Sequence, residues 1–166
     1  LSLLKMDERR RGVGSDLSGD ALKVAEMNRE KLGISKERCT FFKSDLFEKI
    51  EGDYDLIVSN PPYIRTEEIE KLQEEVRLYD PYEALDGKED GLYFYRRMIS
   101  EAELYLRKGG SLLFEIGYDQ AEEVSGLFKE AGFEQIRVKK DLAGLDRVVG
   151  GVYNKARENE EELTNV

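Results

Sequence analysis

Short apolar runs alternate along this chain with segments in which apolar residues recur every three or four positions. The short runs predict six β-strands, over residues 11–16, 39–43, 54–59, 111–116, 133–138 and 147–152. The helical spacing predicts α-helices after Ser18, over 67–75, over 92–106 and around 124–131. Residues 1–5 read as the end of a further helix, and the polar segment 80–87 is expected to be an irregular loop.

The helix after Ser18 has the clearest start and stop signals. Ser18 suits the N-cap position, because its hydroxyl can accept a hydrogen bond from a backbone N–H of the first turn. Asp20 lies in that turn, where the helix dipole favours negative charge. Gly33 is expected to end the helix, as the Gly109-Gly110 pair and Gly132 are expected to end two later ones. In the helix after Ser18, the inward face is predicted to comprise Ala21, Ala25, Asn28 and Leu32.

Strands that alternate with amphipathic helices predict an α/β fold with a mostly parallel sheet. The last two predicted strands follow each other closely, which favours an antiparallel edge. At 166 residues, one domain over 1–154 is expected, followed by an acidic, flexible tail over 155–166. Ligands of such open sheets bind at the carboxyl ends of the strands.

The composition excludes several classes of site. The chain has no histidine, which removes Ser-His-Asp and Cys-His nucleophilic schemes and the usual zinc ligand sets. Its formal net charge of −10 argues against broad nucleic-acid binding, which depends on basic contacts to phosphate. The one cysteine, Cys39, lies in an apolar stretch and is expected to be a buried residue of a cytoplasmic protein. No apolar run approaches the roughly 20 residues of a membrane-spanning helix.

Two aspartates come at the ends of predicted strands. An acid in the position of Asp16, just before a helix, can accept hydrogen bonds from ribose hydroxyls, or it can simply cap a turn. A carboxylate at Asp45 can accept from the exocyclic amine of adenine while the N–H of Leu46 donates to a ring nitrogen, and here too a turn residue is the alternative. Asn60 ends a third strand, so one crevice is expected to gather Asp16, Asp45 and Asn60.

The tetrapeptide Asn60-Pro61-Pro62-Tyr63 is the most specific signal in the chain. Proline fixes its own φ and restricts the residue before it, so this turn is expected to be rigid and extended. The side-chain oxygen of Asn60 and the carbonyl of Pro61 can accept both hydrogens of a planar –NH2 group, which belongs to an amide or to adenine. Tyr63 can pack on that plane and exclude water. Methyl transfer from a sulfonium to such a nitrogen depends on positioning and desolvation and needs no metal.

From Val13 to Val152 the chain resembles the release-factor glutamine methyltransferases, the HemK-like family. The Asn-Pro-Pro-Tyr turn alone also marks amino-methyltransferases that act on adenine or guanine, and the later matching segments favour the glutamine enzymes. The matching segments are 14–18 with Ala21, Leu22 and Asn28, then 44–47, 55–64, 84–87, 90–92, 114–117 with Gln120, and 140–147. No role follows from the sequence for Glu115 or for 141–147.

The resemblance implies a Rossmann-like class I methyltransferase sheet and S-adenosyl-L-methionine as the methyl donor. By that resemblance, Asp16 holds the ribose and Asp45 the adenine. The implied cofactor set is Asp16, Leu17, Asp45, Leu46 and Asn60. The implied catalytic set is Asn60, Pro61, Pro62 and Tyr63. The implied acceptor is the Gly-Gly-Gln glutamine of a peptide-chain release factor, methylated on its side-chain nitrogen, with no direct nucleic-acid contact and no membrane.

The chain also departs from the family pattern. Nothing matches the family's first strand and the glycine-rich loop that cradles the methionine part of the cofactor, because Gly12-Val13-Gly14 belongs to the second strand. No segment of the sequence matches the family's helical substrate-recognition domain, which precedes the catalytic domain, either. We therefore expect a truncated domain with weak cofactor binding. Two alternatives stay open: a nucleic-acid amino-methyltransferase acting on a flipped base, and a non-catalytic module that has lost its donor site.

Overall fold

The computed structural model describes residues 1–155. The chain divides after Gly52 into two compact units, the first over Leu1–Gly52 and the second from Asp53 onward. The single domain expected over 1–154 stays a prediction. The tail predicted over 155–166 lies, apart from Lys155, outside the described residues.

The first unit is built on a two-stranded parallel sheet. Its strands pair in register from Gly12–Cys39 to Asp16–Lys43, so both strands end at the same edge. Its buried core joins Leu4, Ile34 and Cys39, and the burial predicted for Cys39 is confirmed. In chain order the elements are α1 (Ser2–Lys5), β1 (Gly12–Asp16), α2 (Gly19–Lys31) and β2 (Cys39–Lys43).

Helix α2 starts as predicted but turns a different face inward. The Ser18 hydroxyl accepts a hydrogen bond from the N–H of Ala21 at 3.2 Å, and Gly33 follows the helix with φ +67°. The inward face is formed by Leu22, Ala25 and Arg29, whereas the predicted members Ala21, Asn28 and Leu32 are exposed. Arg29 is only 2% exposed because its guanidinium donates to the carbonyl of Cys39 at 3.1 Å. The apolar pattern missed this face because it counted the arginine as polar, although its long stem packs like an apolar side chain.

The second unit contains a four-stranded mixed sheet in the order β3-β4-β6-β5. Strand β3 is parallel to β4, whereas β6 runs antiparallel to both β4 and β5. The antiparallel pairing predicted for the last two strands is therefore confirmed, with β6 inside the sheet and β5 at its edge. The strands are β3 (Tyr54–Ser59), β4 (Leu106–Glu115), β5 (Glu134–Lys140) and β6 (Asp146–Tyr153). The helices are α3 (Thr66–Ile69), α4 (Glu74–Tyr79), α5 (Tyr82–Leu85), α6 (Tyr93–Ala102) and α7 (Ala121–Glu130).

A row of aromatic rings forms the core of the second unit. Successive ring centroids lie 5.0 to 5.6 Å apart, in the tilted or edge-to-face arrangements that aromatic pairs prefer. All five side chains are at most 5% exposed. The row runs Tyr95, Phe114, Phe128, Phe133, Tyr153, and so links α6 and α7 to one face of the sheet.

The boundary between α6 and β4 was predicted wrongly. Helix α6 ends at Ala102, and Leu106 already pairs with Tyr54 as the first residue of β4. Leu106 is fully buried. Its position three or four residues after other apolar residues was therefore a sign that it is buried, not that it belongs to the helix. The Gly109-Gly110 pair, expected to end the helix, lies inside the strand, where Gly109 has φ +81° and the register with β3 shifts.

Two shorter segments also differ from the prediction. The helix expected over 67–75 is two helices, α3 and α4, separated at residues 70–73. The segment 80–87, expected to be irregular, contains the short helix α5. Pro81 stands at the N-cap of α5 with φ −59°, and a proline at a helix start loses no helical hydrogen bond. Within residues 1–155, every helix is too short or too polar to cross a membrane.

Candidate functional site

Strand β3 carries the Asn-Pro-Pro-Tyr turn at its carboxyl end. Ser59, its last residue, pairs with Phe114 in the middle of the sheet. Asn60 is exposed, Pro61 is buried, and Pro62 and Tyr63 are half-buried. Among the described residues, none forms a hydrogen bond with the Asn60 carboxamide. Because Asn60 is exposed, its oxygen can accept a hydrogen bond from a bound ligand. The amide is exposed at the end of the strand, as the sequence predicted, and the rigidity of the turn and the roles of its residues stay predictions.

The backbone that follows the turn is fixed by main-chain hydrogen bonds. The N–H of Ile64 donates to the carbonyl of Leu85 at 3.1 Å, and the N–H of Gly87 donates to the carbonyl of Ile64 at 2.8 Å. The N–H of Thr66 donates to the carbonyl of Lys88 at 3.1 Å. The segment 85–88, which begins at the last residue of α5, therefore lies alongside the residues after the turn and supports them.

Asp86 anchors this supporting segment from inside. Its carboxylate is 5% exposed and accepts from the Thr66 hydroxyl at 2.7 Å, from the Lys88 N–H at 3.0 Å and from the Lys88 ammonium at 2.8 Å. Burial alone would raise the pKa of Asp86, but the hydrogen bonds from Lys88 and Thr66 outweigh burial and lower the pKa below its ordinary value. Asp86 is therefore ionised at neutral pH and holds Thr66 and Lys88 together.

The lowered pKa of Asp86 predicts an acid-dependent loss of stability. The unfolded chain binds the proton more readily than the folded one, so the stabilisation is complete above the ordinary pKa of 3.8 and is lost as the pH falls through the lower folded value. Asp86→Asn removes the charge at every pH. The difference in free energy of unfolding between the parent and Asp86→Asn, measured by urea titration, should therefore shrink on acidification below about pH 4.

The exposed Asp80 offers the matched control for that experiment. Asp80→Asn changes one carboxylate on the same segment of chain without touching Thr66 or Lys88. A difference between parent and Asp86→Asn that stays constant with pH would contradict the role given to the Asp86 charge.

Asp16 and Asp45 come together at one edge of the first unit, as predicted. Asp16 is the last residue of β1 and Asp45 comes two residues after the end of the parallel strand β2, and the N–H of Ser44 donates to the carbonyl of Asp16 at 3.1 Å. The Asp16 carboxylate is exposed, and its Oδ1 accepts from the N–H of Ser18 at 2.7 Å. Asp16 thus caps the turn, while within residues 1–155 its Oδ2 has no hydrogen-bond partner.

The neighbours of these aspartates complete the edge. Leu17, the residue after Asp16, is 58% exposed. Leu46 has φ +47°, a left-handed conformation that non-glycine residues adopt rarely and mostly in turns. The two aspartates, Leu17 and Leu46 therefore share one edge. Asn60 belongs to the second unit, and its meeting with these residues stays a prediction.

The segment 141–147 comprises the tight turn between β5 and β6, residues 141–145, and the first two residues of β6. The Asp141 carboxylate accepts from the N–H groups of Ala143 and Leu145 at 2.9 and 3.0 Å and from the Arg147 guanidinium at 3.2 Å. These contacts, led by the Leu145 N–H, lower the pKa of Asp141. Arg147 also donates to the carbonyl of Ile116 at 3.3 Å. The segment therefore closes a hairpin and ties it to the end of β4.

Sequence reasoning gave no role to several residues that shape the turn. Gln120 is 3% exposed and reaches back to the carbonyl of Tyr63, 57 positions earlier. Gly87 and Gly91 pack against the backbone of Tyr63 so closely that a Cβ would come within 2.7 and 2.5 Å of it. A single sequence carries no signal for such distant contacts, and these residues stood out only as members of matching segments.

Comparisons with known proteins show a similarity to methyltransferases. The family model described as the methyltransferase small domain matches residues 1–77. The release factor glutamine methyltransferase of Agrobacterium fabrum is 45% identical over 149 residues, covering 90% of this chain and 51% of that protein. The one from Geobacter sulfurreducens is 49% identical over 141 residues, covering 84% of this chain and 48% of that protein.

Over the part that it spans, the chain is similar to the release factor glutamine methyltransferases. It spans about half the length of the curated relatives it matches. The crystal structure of a methyltransferase from Pyrococcus furiosus superposes with a TM-score of 0.67 at 12% identity, over 93% of this chain and 68% of that chain. The predicted Rossmann-like methyltransferase fold is therefore confirmed.

Proposed function

We propose that this protein transfers a methyl group from S-adenosylmethionine to the side-chain nitrogen of a glutamine in a peptide-chain release factor. The observation that carries the proposal is the exposed Asn60 carboxamide, held on a rigid turn at the carboxyl end of β3. The chain that presents it is 45% and 49% identical to two release factor glutamine methyltransferases.

The residues of the first unit fit the nucleoside part of the donor. Asp16 can accept from ribose hydroxyls through Oδ2, because only Oδ1 is used by Ser18. The exposed side chain of Leu17 supplies an apolar surface, and the left-handed Leu46 follows Asp45 at the same edge. A carboxylate acceptor, an apolar contact and a backbone N–H are the groups that recognise an adenosine.

On the acceptor side, the turn fixes the reacting nitrogen. The lone pair of an amide nitrogen is delocalised into its carbonyl, so the nitrogen is a poor nucleophile. Accepting its two hydrogens at the Asn60 oxygen and the Pro61 carbonyl enriches the nitrogen and sets the direction of its lone pair. Tyr63 covers the amide plane and excludes water. When bound, S-adenosylmethionine supplies a methyl group that is electrophilic because it is attached to a sulfonium.

The experiment that tests the proposal supplies methyl-labelled donor and a purified release factor to the protein. Mass spectrometry of the digested release factor should place one added methyl group on the glutamine of the Gly-Gly-Gln motif. A release factor with that glutamine replaced by alanine is the control and should stay unlabelled. Methyl label on added RNA or DNA instead of the release factor would reject the proposal. It would also be rejected if neither the release factor nor the nucleic acid were labelled and the protein did not bind the donor.

Asp16 gives a test of the donor side alone. Asp16→Ala should weaken donor binding by about tenfold to a hundredfold, since hydrogen bonds to a charged group contribute about 1.5–3 kcal/mol. Asp16→Asn keeps an oxygen for the Ser18 N–H but replaces an acceptor with a donor, so it should weaken binding while preserving the turn. Isothermal titration calorimetry with S-adenosylmethionine measures both effects.

The control for Asp16 is Asp20→Ala, which removes an exposed carboxylate from the first turn of α2. Its donor affinity should stay within about twofold of the parent. If Asp16→Ala and Asp16→Asn also bound the donor like the parent, Asp16 would be a turn residue only.

A further inference from the structure

The side chain of Gln120 is committed to the acceptor turn and not to its own helix. Gln120 stands at the N-cap of α7, where serine, threonine, aspartate or asparagine normally bind the free N–H groups of the first turn. Its side chain makes no such bond and is instead buried, with 3% exposure. A buried polar side chain that does not cap its helix needs other hydrogen-bond partners.

Those partners use both ends of the amide. Nε2 donates to the carbonyl of Tyr63 at 3.0 Å and to the carbonyl of Gly91 at 3.3 Å. Oε1 accepts from the N–H of Gly117 at 3.0 Å. Because two partners are carbonyls and the third is an N–H, the orientation of the amide is fixed by chemistry: turned over, it would place like groups against each other. The Tyr95 hydroxyl, 3.5 Å from Oε1, donates mainly to the carbonyl of Glu115 at 3.0 Å.

The turn needs a support of this kind because of its prolines. Pro61 and Pro62 have no N–H, so neither can donate a backbone hydrogen bond to a neighbouring strand. The first carbonyl after the prolines is that of Tyr63, which Gln120 holds. The Pro61 carbonyl and the Asn60 side chain precede Tyr63 by two and three residues, across backbone that the prolines keep stiff.

The glycines around Tyr63 show how closely the support fits. A Cβ at Gly91 would lie 2.5 Å from the Tyr63 carbonyl oxygen and 2.7 Å from Nε2 of Gln120. A Cβ at Gly117 would lie 2.9 Å from Oε1. Both ends of the amide are therefore enclosed by backbone, and a displacement of Gln120 is transmitted to the Tyr63 carbonyl.

We propose that Gln120 is a positioning residue that fixes the Asn-Pro-Pro-Tyr turn through the carbonyl of Tyr63 and so aims Asn60 and Pro61 at the acceptor amide. The consequence for catalysis rests on the proposed function. The fixing of the turn does not, and it can be measured in the protein without donor or acceptor.

Gln120→Met is the principal variant, because methionine matches the length of glutamine and makes no comparable hydrogen bond. Amide hydrogen exchange of Ile64, the residue after Tyr63, should become about tenfold faster, the effect of losing one local hydrogen bond. Exchange of Leu112, in the middle of β4, should not change. Gln73→Met is the matched control, since Gln73 also occupies a helix N-cap without capping but is exposed.

The kinetic arm separates positioning from folding. In Gln120→Met, kcat for methyl transfer should fall by about a hundredfold, the effect of a misplacement of about 1 Å, while the Kd of S-adenosylmethionine changes less than twofold. Gln120→Glu adds a pH profile. Only its protonated carboxyl can donate to the Tyr63 carbonyl, so its activity relative to the parent should rise as the pH falls. A variant that merely folded poorly would not recover in acid.

The two proposals fail in different ways. If the parent methylates no glutamine but Gln120→Met speeds exchange at Ile64 alone, the proposed function is wrong and the fixing of the turn by Gln120 is supported. If the parent is active and Gln120→Met keeps its kcat and its exchange at Ile64, the positioning role is overturned. Should Gln120→Met not fold, the exchange and pH profile of Gln120→Glu decide: parent-like values at every pH overturn the role.

Discussion

Asn60→Ala is expected to lower the rate of methyl transfer to glutamine by about 10²–10³-fold, the effect of removing one preorganised hydrogen-bonding group from an active site. The side chain is exposed at the end of β3 and makes no hydrogen bond within residues 1–155, so the substitution should leave the fold unchanged. The loss should appear in kcat, because the amide nitrogen remains reachable but is no longer held from both sides.

Donor binding separates this role from a general disturbance. The Kd of S-adenosylmethionine, measured by calorimetry, should be nearly the same for Asn60→Ala and the parent, since the partner of Asn60 is the acceptor amide. Asn28→Ala, which replaces an exposed asparagine of α2, is the control and should keep both kcat and Kd. An Asn60→Ala variant that lost donor affinity as much as rate would show that Asn60 serves the cofactor instead.

Gly91→Ala is expected to lower the free energy of unfolding by about 3 kcal/mol. About 1 kcal/mol comes from the left-handed backbone at φ +75°, which a side chain disfavours, and about 2 from overpacking of the new methyl group. That group would lie 2.5 Å from the Tyr63 carbonyl oxygen. The nearest atoms belong to backbone and to a buried amide, so neither can move aside cheaply.

Substitutions at two other glycines distinguish the cost of the left-handed backbone from the cost of the steric overlap at Gly91. Gly144 has φ +84° with nothing within 4 Å of a Cβ, so Gly144→Ala should show the strain alone, about 1 kcal/mol. Gly126 lies inside α7 with open space around it, and Gly126→Ala should stabilise by about 0.5–1 kcal/mol. Urea unfolding of the three variants measures the series. Equal losses for Gly91→Ala and Gly144→Ala would remove the overlap from the explanation.

Local patterns were enough to predict much of the fold. The strands over 39–43 and 54–59 and the Ser18 cap were predicted as they are, because each depends on a few adjacent residues. The face of α2 and the start of β4 were predicted wrongly, because both depend on contacts with residues outside the element itself. Arg29 is buried through the carbonyl of Cys39, and Leu106 is in a strand because Tyr54 pairs with it.

The candidate site divides in the same way. The turn at Asn60 could be read from the chain because proline restricts its own backbone and that of its neighbour, wherever they occur. Asp16 was predicted with two possible roles, and its contact with Ser18 is compatible with both of them. Gln120 and Gly91 could be interpreted only once the fold had brought them to Tyr63.

The support of the turn is made largely of main-chain atoms. Ile64 is held by the carbonyl of Leu85 and the N–H of Gly87, and neither bond depends on which side chains occupy positions 64 and 85. Evolutionary drift at such positions can therefore proceed while the geometry of the turn is inherited intact.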